Sequence, residues 1–199
     1  MPDLHFSVES VSAKHDPAER MLLFLIRVEN SSPAEQIHSI SLNVQVQIQP
    51  ARRRYTTEEK IALQELFGEP ERWANTLHPV FWAKVSTTVS AFQGSTMVSL
   101  PVPPASGFDD AASRYCNALR EGEIPIDLLF SGTIFYMNSG APQVAFIPWS
   151  KETFCRVPLA VWRELAPLRR DAASVDAASE RSWEQILEHA RTLAGRSKP

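Results

Sequence analysis

Few of the local patterns that indicate a particular chemistry occur in this sequence. It has no G-x-S-x-G, no phosphate-binding glycine loop, no G-x-G-x-x-G and no H-E-x-x-H. Its five histidines are scattered without the spacing of metal ligands. We therefore predict a protein that is not an enzyme and that uses no metal and no cofactor. An enzyme whose site is assembled from distant residues stays an alternative, because catalytic triads are assembled in that way.

Cysteine is scarce as well. The two cysteines, Cys116 and Cys155, form neither a C-x-x-C pair nor a zinc pattern. Each stands in an apolar stretch, which favours a buried, reduced thiol. Whether the two cysteines pair is left open by the sequence.

Neither a surplus of basic charge nor a long apolar run is present. Lys and Arg number 20 against 23 for Asp and Glu, giving a formal net charge of −3, so no overall basic field attracts nucleic acid. The longest apolar run, residues 21–26, is too short to cross a bilayer, and the N-terminus lacks the pattern of a signal peptide. We expect a cytoplasmic protein without a nucleic-acid partner and without membrane insertion.

What the sequence does have is proline and strand-like alternation. Fifteen prolines stand against seven glycines, which favours many strand ends and stiff connections. Residues 40–49, ISLNVQVQIQ, alternate strictly between aliphatic and uncharged polar side chains, as a strand with one buried face does. We predict a mainly β (α+β) fold: an antiparallel β-sandwich-like domain with two or three inserted helices and a C-terminal helix.

Helix and turn signals divide this domain. Thr56 and Glu59 have the spacing of a capping box, and Gly68 is placed to end the helix that follows. Residues 80–92 and 95–103 have the pattern of two strands, which we predict to pair with each other through a turn at Gln93 and Gly94.

The C-terminal sixth of the chain differs in character. We predict a β-rich domain over residues 1–168, a linker over residues 169–178 with little apolar content, and an amphipathic helix over residues 179–199. The apolar side chains of that helix fall on one stripe, which needs a surface on its own domain or on another chain: Trp183, Ile186, Leu187, Ala190 and Leu193.

Three consecutive arginines, Arg52, Arg53 and Arg54, follow the alternating strand. Three cations in a row cannot all be buried, because each would need a partner. They form either a solvated corner, with one arginine paired to a nearby glutamate, or a fork-shaped grip on the carboxylates of a partner. We predict a protein-docking surface made of these arginines, the amide face of the preceding strand and an exposed tryptophan near an edge. Its candidate residues are Arg52, Arg53, Arg54, Gln45, Gln47 and Trp149.

Several blocks resemble an uncharacterised bacterial family, a domain of unknown function. The most specific are RRRYTTEEK and LFGEPERW, with FQGSTMVSLPVP, IPWSKE and VPLAVWREL in support. Members of that family are often encoded beside actinobacterial-type, high-affinity nickel–iron hydrogenases. The resemblance implies a non-catalytic accessory or assembly protein that binds a hydrogenase or its maturation factors.

A weaker resemblance is to the SecB secretion chaperone. Here a helix ends at a glycine and leads into an apolar, proline-containing strand, LREGEIPIDLLF. It implies an alternative fold, a single sheet with helices packed on one face. It also implies an alternative function, a holdase-like chaperone, and a homo-oligomer.

Overall fold

Two antiparallel β-sheets carry the fold. The computed structural model of the chain describes residues 1–15, 20–32, 35–104 and 110–165. Within them, the strands are β1 (Leu4–His15), β2 (Arg20–Asn30), β3 (Gln36–Ile48), β4 (Val80–Val89), β5 (Ser95–Val102), β6 (Glu123–Asn138), β7 (Ala141–Phe146) and β8 (Glu152–Pro158). The helices are α1 (Thr57–Phe67), α2 (Trp73–Thr76), α3 (Ala111–Ala118) and α4 (Leu159–Leu165).

Strand order separates the two sheets. A three-stranded sheet has the order β1-β2-β5, and a five-stranded sheet has the order β4-β3-β6, with β7 and β8 end to end along the far edge of β6. Aliphatic and aromatic side chains from both sheets fill the space between them, because alternate residues of each strand face inward. The ring of Phe6 on β1 stacks on that of Phe130 on β6, with ring centroids 4.1 Å apart.

The helices lie at the ends and margins of this sandwich. Helix α1 packs on α3, α3 packs on β4, and α4 packs on β1, β2 and β8. Trp82 of β4 and Trp162 of α4 meet edge to face, with ring centroids 5.3 Å apart. This arrangement leaves the polar face of β3 on the outside of the five-stranded sheet.

The prediction of a sandwich-like α+β fold is confirmed. The alternative prediction, one sheet with helices packed on a single face, is wrong, because the strands form two sheets. The predicted pairing of residues 80–92 with 95–103 is wrong. Strand β4 pairs with β3, whereas β5 pairs with β2 in the other sheet. Between them the chain crosses the sandwich, where Phe92 is buried and bridges to Ile37.

The predicted linker, residues 169–178, and the predicted amphipathic helix, residues 179–199, lie outside the described residues. Residues Met1–Leu165 make up one compact unit of the chain. The structural findings below concern that unit.

Candidate functional site

The outer face of the five-stranded sheet carries the amide side chains of β3. Gln45 and Gln47 are half-buried and point away from the core, since Val44, Val46 and Ile48 occupy the buried positions between and beside them. Their neighbours on β6 are Leu129 beside Gln45 and Asp127 beside Gln47. We call this surface, formed by the outward side chains of β3, β4, β6, β7 and β8, the outer face.

Arg52 lies at one end of the outer face. Its side chain is 49% exposed, and its guanidinium stands 3.4 Å from a carboxylate oxygen of Asp127. The same guanidinium lies over the ring of Phe154 at 4.6 Å, and the guanidinium of Arg156 lies over that ring at 5.4 Å. Phe154 and Arg156 belong to β8, and Phe154 is the cross-strand neighbour of Asp127. Two cations around one ring thus form an ordered basic cluster beside Gln47.

Arg53 points the other way, into the protein. Its side chain is only 8% exposed and forms a salt bridge with Glu59, whose side chain is fully buried. The guanidinium also donates to the backbone carbonyls of Glu121 and Glu123, at 2.8 and 2.9 Å. Arg53 therefore fastens the corner after β3 to the loop before β6, and it is not open to a partner.

Glu59 receives more than this one ion pair. The predicted capping box is confirmed: the N–H of Glu59 donates to the Thr56 hydroxyl, and the N–H of Thr56 donates to the Glu59 carboxylate. The backbone N–H of Arg120 donates to the same carboxylate at 2.7 Å. Glu59, which the sequence predicts to lie in the first turn of a helix, thus also joins the start of α1 to Arg53 and to the segment that follows α3.

The pKa of Glu59 reflects these donors. Burial alone raises the pKa of a carboxyl group, but the hydrogen bonds from Arg120, Thr56 and Arg53 outweigh it and hold the pKa of Glu59 below its ordinary value of 4.5. A carboxyl whose pKa is depressed by folding stabilises the protein above the unfolded-state value and loses that contribution as the pH falls through the folded-state value.

We expect acid to test this directly. As the pH falls below about 4.5, the free energy of unfolding should decrease, and the Glu59→Gln variant should show a smaller decrease over the same range. Urea titrations of both proteins at several pH values between about 3 and 6 measure the difference. Parallel pH profiles of the two proteins would contradict an ionised Glu59 in the folded state.

Two tyrosines complete the inner side of the corner. The hydroxyl of Tyr55 lies 2.8 Å from that of Tyr115 and donates to the carbonyl of Pro50 at 2.7 Å. Burial raises the pKa of Tyr55 to about 12 and also raises the pKa of Tyr115, so both hydroxyls stay protonated at neutral pH. The two tyrosines stabilise the segment after β3 from its buried side, and nothing in their geometry indicates a reactive phenolate.

Arg54 and Trp149 are the remaining candidates. Arg54 is exposed, and no hydrogen bond or ion pair joins it to another described residue. Trp149 is 90% exposed and lies between β7 and β8. On either side of it, the N–H of Ile147 donates to the carbonyl of Gly132, and the carbonyl of Lys151 accepts from the N–H of Phe130. The three residues 148–150 therefore lie opposite the single residue Ser131 of β6 and form a bulge.

The structure thus places Arg52 and Gln47 beside the same residue, Asp127, with Gln45 two residues further along β3. Trp149 lies on the edge of the same sheet. Sequence reasoning missed Asp127, Phe154 and Arg156. The signal was present for the last two, because ETFCRVP alternates and places Phe154 and Arg156 on one face. Their proximity to Arg52 depends on strand pairing, which a local pattern does not give.

Neither cysteine is disulfide-bonded in the structure. Cys116 is buried in α3 and Cys155 is half-buried in β8. Burial raises the pKa of Cys155 to about 12 and raises that of Cys116 further, so both stay thiols at neutral pH. Within the described residues, no three His, Cys, Asp or Glu side chains converge to hold a metal ion.

A model of a family described as a family of unknown function (DUF6084) matches residues 1–170, which include every candidate site residue. No curated protein matches the chain. Among the described residues, no helix is both long and apolar enough to cross a membrane.

Proposed function

The chain belongs to a family of unknown function, DUF6084, and from that premise we propose that it is a non-catalytic accessory protein that binds another protein through the outer face. The observation that supports this most is the composition of that face. Amide and hydroxyl side chains line β3 along that face, and Lys84 of β4 stands opposite Gln45. An exposed arginine cluster with an aromatic ring marks one end, and Arg and aromatic residues are enriched in the interfaces of other proteins.

The arginine cluster suits a partner that carries carboxylates. Arg52 is held by Asp127 and by the Phe154 ring, so it loses less side-chain entropy on binding than a free arginine would. Arg54, two residues further along, is exposed without a described partner, lines the same cavity as Arg52 and adds a second cation. Such rim cations act mainly on the association rate, and salt weakens them.

The partner to test first follows from the resemblance of the sequence to a family encoded beside nickel–iron hydrogenases. We propose a hydrogenase or one of its maturation factors as that partner. A holdase-like chaperone is the competing function. It predicts binding to many unfolded chains instead of to one folded complex.

We expect the Arg52→Ser, Arg54→Ser double variant to bind the hydrogenase complex about tenfold more slowly at low salt, with the difference shrinking as salt is added. Removing Arg52 leaves Asp127 without its cation, so a stability loss of about 1 kcal/mol is expected alongside. Arg114→Ser is the matched control, because Arg114 is 39% exposed and pairs with Glu65 between α1 and α3, away from the outer face.

Surface plasmon resonance with immobilised hydrogenase at several ionic strengths, together with thermal unfolding, measures both effects. Equal rates for the double variant and the control would contradict docking through Arg52 and Arg54. Suppression of the aggregation of unrelated unfolded proteins by the wild-type chain, without hydrogenase binding, would favour the chaperone instead.

A further inference from the structure

Strand β7 has an open edge. Among the described residues it pairs only with β6. The N–H of Ile147 donates to the carbonyl of Gly132 at 3.0 Å, and the same register continues without a break through β7. Because backbone groups of successive residues in a strand point to opposite sides, the N–H and C=O groups of Val144 and Phe146 point away from β6. They are available to another strand.

This edge carries no charge. Residues 141–150, APQVAFIPWS, contain no Asp, Glu, Lys or Arg. Edge strands of soluble proteins are commonly protected from pairing by charged side chains, and the edge strands β1 and β4 include Lys14 and Lys84. Pro142 and the bulge at Trp149 flank the open stretch, but its centre is unprotected.

Large apolar side chains are exposed on the same strand and beside it. Val144 is 58% exposed, Phe146 is 74% exposed, and Trp149 follows at 90%. On β6, Phe135 and Met137 share the outer face with them and are 40% and 36% exposed. With about 200 Å² for a large side chain, the five expose about 600 Å² in all. That is as large as the largest apolar patch of a typical monomer, roughly 300–600 Å², which is often functional.

We propose that a second copy of this chain pairs with β7 in antiparallel orientation, forming a two-fold symmetric dimer with one continuous sheet across the interface. A neutral strand meets itself without repulsion between like charges, and an antiparallel pair of identical strands satisfies the two-fold symmetry of most homodimers. Across the axis, the apolar side chains of Val144 and Phe146 lie beside the same two side chains of the other copy and contact them as cross-strand neighbours. This inference does not depend on the proposed function.

Light scattering coupled to size-exclusion chromatography of the full chain tests the dimer. At tens of micromolar, the wild type should have about twice the chain mass of 22.3 kDa. The Val144→Lys, Phe146→Lys double variant should have the mass of one chain, because its ammonium groups would face each other across the axis. Phe146→Lys alone, at an exposed position, should raise the dissociation constant at least tenfold.

Ile61→Lys is the matched control. Ile61 is 68% exposed but lies on α1, so this variant should remain a dimer. Hydrogen exchange gives an independent measurement. The amides of Val144 and Phe146 should be protected at high concentration and lose that protection on dilution.

Three outcomes would overturn the proposal. The first is a single-chain mass at every concentration. The second is a dimer that the lysine substitutions do not weaken although circular dichroism shows the variants folded. The third is protection of the Val144 and Phe146 amides that does not change on dilution, which would mean that another part of the same chain covers the edge.

Discussion

Replacement of Arg53 by Met is expected to lower the free energy of unfolding by about 3–5 kcal/mol, the cost of removing one partner from a buried ion pair. Arg53 is 8% exposed and its partner Glu59 is fully buried, so the variant would leave a carboxylate inside the protein without its cation. The hydrogen bonds from Arg53 to the carbonyls of Glu121 and Glu123 would be lost as well. Because methionine fills most of the space of the arginine side chain, the loss of stability reports the missing charge and hydrogen-bond donors and not a cavity.

Urea unfolding followed by tryptophan fluorescence measures this loss. Arg54→Met is the control, because Arg54 is exposed and its substitution should change stability by less than about 0.5 kcal/mol. The Arg53→Met, Glu59→Gln double variant should be less unstable than the two single losses added together, because neutralising Glu59 removes the unpaired charge. If Arg53→Met cost no more than Arg54→Met, Arg53 would be an ordinary surface arginine.

Replacement of Gly132 by Ala is expected to be at least as damaging, with a loss on the order of 4 kcal/mol or more. Gly132 lies in the interior of β6 with φ +148°, a conformation that side chains rarely adopt. A Cβ added there would stand 2.1 Å from the carbonyl oxygen of Ser41 on β3, far inside contact distance. Since that oxygen is backbone of the neighbouring strand, the sheet itself would have to shift.

Gly140→Ala provides the matched control. Gly140 also has a positive φ, +79°, but an added Cβ would meet nothing within 4 Å. The free energy of unfolding of this control variant should fall by about 1 kcal/mol, because only the strain of the left-handed conformation is added. Thermal unfolding and expression of soluble protein compare the two variants. Equal effects would mean that the close approach of β3 at Gly132 contributes nothing.

Local patterns predicted local structure well. The Thr56–Glu59 capping box and Gly68 define the start and the end of α1, and both are confirmed. Such signals work because a helix end satisfies its free N–H groups with residues three or four positions away. Asp110 likewise caps α3, with its carboxylate accepting from the N–H of Ala112 at 2.8 Å.

The pairing of strands was the point where prediction from the sequence went wrong. The alternation in β4 and β5 shows that each has a buried and an open face. The chain does bend at Gln93 and Gly94, but the bend leads from one sheet to the other and does not close a hairpin. That alternation is the same whether two strands pair with each other or lie in facing sheets. The choice depends on contacts between residues far apart in the chain, here those of β4 with β3 and of β5 with β2.

The amino-acid sequence by itself determined that this is a mainly β chain with an amide-rich strand face, a capped helix after it and an arginine run between the two. Only the tertiary structure decided that the three arginines differ: Arg52 lies on the outer face, Arg53 is buried against Glu59, and Arg54 is exposed. The physical reason is that burial and pairing of a charge depend on which distant groups surround it. For Arg52 those groups are Asp127 and Phe154, and for Arg53 they include the carbonyls of Glu121 and Glu123, all about 70 to 100 residues away. The ion-pair partner Glu59 is only six residues from Arg53, but its burial also depends on packing against the distant end of α3.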